Sequence, residues 1–70
     1  MSLADRLNQI IDDQKITKRA FAKRVAISEN YIYMLTGESN KITTLSPMLA
    51  KVIGMEFGYD PEWILNGNKE

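Results

Sequence analysis

The stretch Thr17–Leu35, TKRAFAKRVAISENYIYML, decides how the rest of the chain is arranged. Thr17 is an N-cap type residue, whose hydroxyl accepts from a backbone N–H that the first helical turn leaves unpaired. Ile16 and Phe21 occupy the two positions of a hydrophobic staple around it. A helix then follows from Lys18 to about Val25, with Phe21, Ala22 and Val25 on its inner face. The same grammar repeats immediately. Ser28 caps, Ile27 and Ile32 staple, and Ile32 and Leu35 point inward three residues apart. Ala26, Ile27 and Ser28 alone separate the two helices, a link too short for an antiparallel pair. A steep crossing is therefore expected.

This run, I-T-K-R-A-F-A-K-R-V-A-I-S-E-N-Y-I-Y-M-L, resembles the helix-turn-helix of the lambdoid phage repressor and Cro family, the XRE-like transcriptional regulators. The resemblance is carried by Ala22 in the middle of the first helix, Ala26 at the turn, then Ile27, Ser28 and Ile32. Two later stretches resemble the same family: L-S-P-M-L-A-K-V-I-G-M its fourth helix, and D-P-E-W-I-L-N-G its fifth. Lys18 stands where the family often has Gln, and Ala26 where it often has Gly. A turn that favours positive φ strains an alanine slightly. The resemblance implies an all-α, five-helix bundle in which helices 2 and 3 form the helix-turn-helix. It also implies sequence-specific binding of double-stranded DNA, at a palindromic operator, by a homodimeric phage-type repressor.

The remaining sequence supports such a domain. Seventy residues, 44 % of them hydrophobic, suffice for one small core, and no segment approaches the roughly 20 apolar residues of a membrane span. No basic-plus-apolar leader opens the chain. Without Cys or His, disulfides and the usual zinc constellations are excluded. These features fit a cytoplasmic, nucleoid-associated protein. The zero net charge speaks against nucleic acid, but its distribution does not. Lys15, Lys18, Arg19, Lys23 and Arg24 fall together without an acid among them, whereas Asp5, Asp12 and Asp13 precede them and Glu56, Asp60, Glu62 and Glu70 follow.

A first helix is expected from Leu3 to about Asp13, opened by a capping box of Ser2 and Asp5 and striped by Leu3, Leu7, Ile10 and Ile11. Asp12 to Lys15 form a polar turn. Gly37 is placed to end the third helix in a left-handed conformation. A fourth helix, capped by Thr43 or Thr44 with Pro47 in its first turn, would present Leu45, Met48, Leu49, Val52 and Ile53 to the core and end at Gly54. Met55 to Tyr59 would connect it to a fifth, started by Asp60-Pro61 and closed by Asn66-Gly67, with Trp63 at the core or a dimer interface. The ending G-N-K-E favours a linker, beginning near 66–70, into a longer repressor.

The chemistry falls on the third helix, 28–35. Ile32 and Leu35 turn inward, leaving Glu29, Asn30, Tyr33 and Met34 outward. An α-helix fits the DNA major groove and its N-terminal residues meet base edges first. Asn pairs with adenine, Glu accepts from cytosine N4, and Tyr33 and Met34 suit thymine methyls. Tyr31 either braces the turn or reaches a phosphate. Phosphate contacts are expected from Thr17, Lys18 and Ser28 at the two helix starts, and from Asn40 and Lys41 in the following loop. Arg19, Lys23 and Arg24 serve as solvated surface or as further contacts. No catalytic group, cofactor, metal or small-molecule ligand is expected, so the chain is read as a non-enzyme. The competing class is a protein-interaction module of the antitoxin type, because a fold does not dictate a function.

Overall fold

Ser2 and Asp5 close the chain's first helix as their spacing predicts. The Ser2 hydroxyl accepts from the Asp5 N–H and the Asp5 carboxylate accepts from the Ser2 N–H, each at 3.1 Å. That backbone contact, followed by the Ser2 hydroxyl, holds the Asp5 carboxyl below the usual carboxylate range. The computed structural model describes residues 2–37, 42 and 44–67. Among them are five α-helices and no strand: α1 (Leu3–Gln14), α2 (Lys18–Arg24), α3 (Glu29–Thr36), α4 (Pro47–Phe57) and α5 (Pro61–Asn66). The Cα radius of gyration is 10.8 Å, close to the roughly 11 Å of a compact chain of this length.

Thr17, Ser28, Ser46 and Asp60 are the N-caps of α2 to α5, each side chain accepting from a backbone N–H of the first turn. α1 packs against α3 and α5, α2 against α3, and α4 against α5. Their shared core contains Leu7, Ile10, Phe21, Ile32, Leu35, Ile53 and Ile64, all fully buried. Ile16 and Ile27, the outer halves of the two staples, lie partly buried against it. Phe21 of α2 stacks on Phe57 of α4 at 5.1 Å between centroids, which ties these two helices across the core.

Arg6 is a core element that hydropathy gives no hint of. It is 5 % exposed, and its Nε and Nη2 donate to the carbonyls of Ile64 and Leu65 at 2.9 and 3.0 Å. Those carbonyls belong to the last turn of α5, where no further helical N–H is available. The guanidinium satisfies them and places positive charge at the negative end of the helix dipole.

Four expectations about boundaries and register change. α1 runs to Gln14, with Lys15 in the left-handed region (φ 57°) instead of a turn beginning at Asp12. Gly37 is extended (φ −78°), not left-handed. Its lack of a side chain matters for a different reason, since a Cβ there would sit 2.6 Å from the Tyr33 carbonyl. α4 is capped by Ser46, not Thr44, while Thr43 lies outside the described residues. Gly54 does not end α4. The helix continues to Phe57 and closes on Gly58 (φ 81°), and Met55 to Phe57 are helical.

The face α4 buries differs in part, although Leu45 and Ile53 are buried as expected. Ala50, Ile53, Gly54 and Phe57 point inward, Leu49 is partly buried, and Met48 and Val52 are 72 % and 38 % exposed. Close packing adds the small Ala50 and Gly54 to the apolar Ile53 and Phe57 on this face. A Cβ on Gly54 would meet the Tyr59 carbonyl at 2.5 Å and the Pro61 ring at 3.1 Å, so the close seat of α5 requires glycine. Trp63 is buried against this junction, with its ring 5.9 Å from Tyr59.

Candidate functional site

Ser28 sets the phase of α3. Its hydroxyl accepts from the Tyr31 N–H at 3.0 Å, which makes Glu29 and Asn30 the leading residues of the helix. Ile32, Leu35 and Thr36 are buried, and the Thr36 hydroxyl donates to the Ile32 carbonyl at 2.7 Å. Asn8 of α1 donates to the Thr36 carbonyl at 3.3 Å and fastens the far end. Held at both ends, α3 exposes Glu29, Asn30 and Tyr33. These occupy positions i, i+1 and i+4, hence one continuous surface of the helix. Met34 is only half-buried and sits at the margin of that surface. Tyr31, half-buried, packs against the core.

The expected phosphate residues divide into three groups. The Thr17 and Ser28 hydroxyls are engaged as caps, at 3.0 Å from the Ala20 and Tyr31 N–H groups, and each retains acceptor capacity and its own proton. Lys18 opens α2 and is half-buried, with its Nζ 5.2 Å from the centroid of the Tyr33 ring. Asn40 and Lys41 lie outside the described residues.

Among the other basic side chains, Arg24 is committed elsewhere. It makes a 2.7 Å ion pair with Glu56, and its guanidinium lies 4.7 Å from the Phe57 ring centroid. Arg19 and Lys23 are exposed, and with Ala22, Ile27 and Glu29 they line a shallow concavity of about 180 Å³. A second depression of about 230 Å³ lies beside Gln9, Gly58, Tyr59, Asp60 and Trp63. Both are smaller than the roughly 300–1,000 Å³ typical of ligand pockets.

The structure thus brings Glu29, Asn30, Tyr33 and Lys18 together. The Lys18–Tyr33 contact was invisible in the sequence, since the two residues lie on different helices whose packing brings them together. Comparison of the chain with protein-family models and with curated proteins yields no match.

Proposed function

We propose that this chain binds double-stranded DNA sequence-specifically as a transcriptional regulator of the phage-repressor type. In this reading α2 and α3 act as a helix-turn-helix within a lambda-repressor-like domain, and α3 lies in the major groove. The observation that carries it is the outward surface of α3: Glu29 and Asn30 lead the helix and Tyr33 follows one turn later, opposite the buried Ile32 and Leu35. Asn30 pairs with adenine and Glu29 accepts from a cytosine amino group. Tyr33 and Met34 contact neighbouring pairs through a thymine methyl or the phenol hydroxyl. Thr17, Lys18 and Ser28 hold the phosphates, joined by Asn40 and Lys41. One such helix reads only a few base pairs, so two copies act as a homodimer on a palindromic operator.

A second reading, a protein-interaction module, draws on a different surface. Met48, Val52 and Met55 form an exposed apolar stripe along α4, with Met55 82 % exposed. Such a stripe suits an apolar protein partner. One experiment separates the readings. Sites selected by the wild-type protein from a random oligonucleotide pool are titrated against scrambled duplex at one fixed salt concentration, using Asn30→Ala, Tyr33→Ala and Met34→Ala. Each base contact discriminates by roughly 1–3 kcal/mol, so each variant should lose operator affinity while binding scrambled duplex almost as before. If all three variants keep the wild-type ratio, α3 is not the reader and the protein-interaction module takes precedence.

A further inference from the structure

Lys18 and Tyr33 lie on different helices, yet the lysine ammonium stands 5.2 Å from the centroid of the tyrosine ring. Tyr33 is 48 % exposed and projects from the same surface as Glu29 and Asn30. A tyrosine on an open helix face ordinarily exchanges among rotamers. A cation over its ring favours one ring placement, because the ammonium is attracted to the negative face of the π-system. Lys18 is itself restrained. It is half-buried, whereas the neighbouring Arg19 and Lys23 are exposed. Its backbone belongs to the first turn of α2, which Thr17 caps.

We propose that Lys18 is a specificity-determining positioning residue. From α2 it sets the placement of the Tyr33 ring on α3, and through that ring it influences which base pair the protein prefers. The inference rests on the DNA-binding reading and refines it. A lysine that touched phosphate alone would strengthen binding to every duplex equally. A lysine that also holds the Tyr33 ring changes the sequence preference at the base pair under that ring and leaves the preference elsewhere alone.

The test uses the wild type, Lys18→Met, Lys18→Arg, Tyr33→Leu and the Lys18→Met/Tyr33→Leu double variant. For each, affinity is measured against the selected half-site and its single-base-pair variants at constant salt. Lys18→Met should lower the preference at the position that Tyr33→Leu also affects, by about two- to five-fold, the size of an exposed cation–π contact. The double variant should discriminate there no worse than Tyr33→Leu alone, and Lys18→Arg, which keeps a cation over the ring, should retain the preference. In the free protein, the Lys18 Hε protons should show an upfield ring-current shift in the NMR spectrum that disappears in Tyr33→Leu. Unshifted Hε protons, or a Lys18→Met loss that is uniform over all duplexes, would overturn this inference while leaving the DNA reading standing. A wild-type protein that selects no sequence would overturn both.

Discussion

Two helix pairs in this molecule are joined by short links, and the links handle the same steric problem differently. Residues 25–28 join α2 to α3, and residues 58–60 join α4 to α5. Each link passes through the left-handed region, at Ala26 (φ 63°) in the first and Gly58 (φ 81°) in the second. Glycine takes that conformation freely and alanine does not. The pairs also differ in what holds them. α2 and α3 are registered by caps and staples, with ordinary side chains between them. α4 and α5 close over Gly54, where backbone approaches backbone too closely for any Cβ. Their outward faces diverge as well: polar and basic around α2 and α3, apolar along α4. One pair is assembled by side-chain pattern, the other by the absence of a side chain.

The change that should break both pairs at once is Phe21→Ala, because the Phe21 ring stacks on Phe57 across them. Emptying a fully buried aromatic site costs roughly 3–5 kcal/mol, a large share of the stability of a domain this small. Thermal unfolding followed by circular dichroism should show the cooperative transition lost or lowered by tens of degrees. A melt within a few degrees of wild type would mean that the ring does not join the pairs.

Arg6→Ala comes next. It strips the α5 carboxy-terminal carbonyls of charged donors in a buried place and should cost roughly 2–4 kcal/mol. Arg6→Lys should not restore the loss, because an ammonium cannot reproduce the planar fork of the guanidinium. Urea midpoints for both variants check this. An Arg6→Lys variant as stable as wild type would show that charge, without the fork, is sufficient at the end of α5.

Gly54→Ala sharpens the contrast between the pairs. In an isolated helix the change would favour folding by about 1 kcal/mol. Here the new Cβ collides with the Tyr59 carbonyl, and the net effect should be a loss of roughly 1–3 kcal/mol by overpacking. A gain in stability by urea titration would show that α5 is not seated by backbone proximity. The smallest effect should have the opposite sign. Ala26→Gly relieves a left-handed alanine worth roughly 1–2 kcal/mol and adds unfolded-state entropy worth about 0.4–1 kcal/mol. A net gain of up to about 1.5 kcal/mol is expected, and a loss on the same titration would show that the α2–α3 turn is unstrained.

The inward faces of α1, α2 and α3 were legible because each carries polar residues on its other side, so a period of 3.6 singles out one stripe. Leu3, Leu7, Ile10 and Ile11, then Phe21, Ala22 and Val25, then Ile32 and Leu35 are all buried as that period requires. The exposed surface of Glu29, Asn30 and Tyr33 followed from the same phase once Ser28 marked the start. α4 offered no such contrast. In PMLAKVIGMEF only Lys51 and Glu56 are charged, so apolar residues ring the helix and periodicity cannot choose among them.

By itself, then, the sequence determined the five helices found among the described residues, the N-caps of all but α4, the buried stripes of the first three and the outward placement of Glu29, Asn30 and Tyr33 on α3. Capping and amphipathic spacing act over a few residues and are written locally. Tertiary structure alone decided the face of α4, the burial of Arg6 and the meeting of Lys18 with Tyr33. Each depends on the distance between separate elements: Gly54 on the seat of α5, Arg6 on the end of α5 58 residues away, and Lys18 on the packing of α2 against α3. Hydropathy measures what a residue prefers, whereas close approach measures what its neighbours leave room for, and only the assembled fold sets the second.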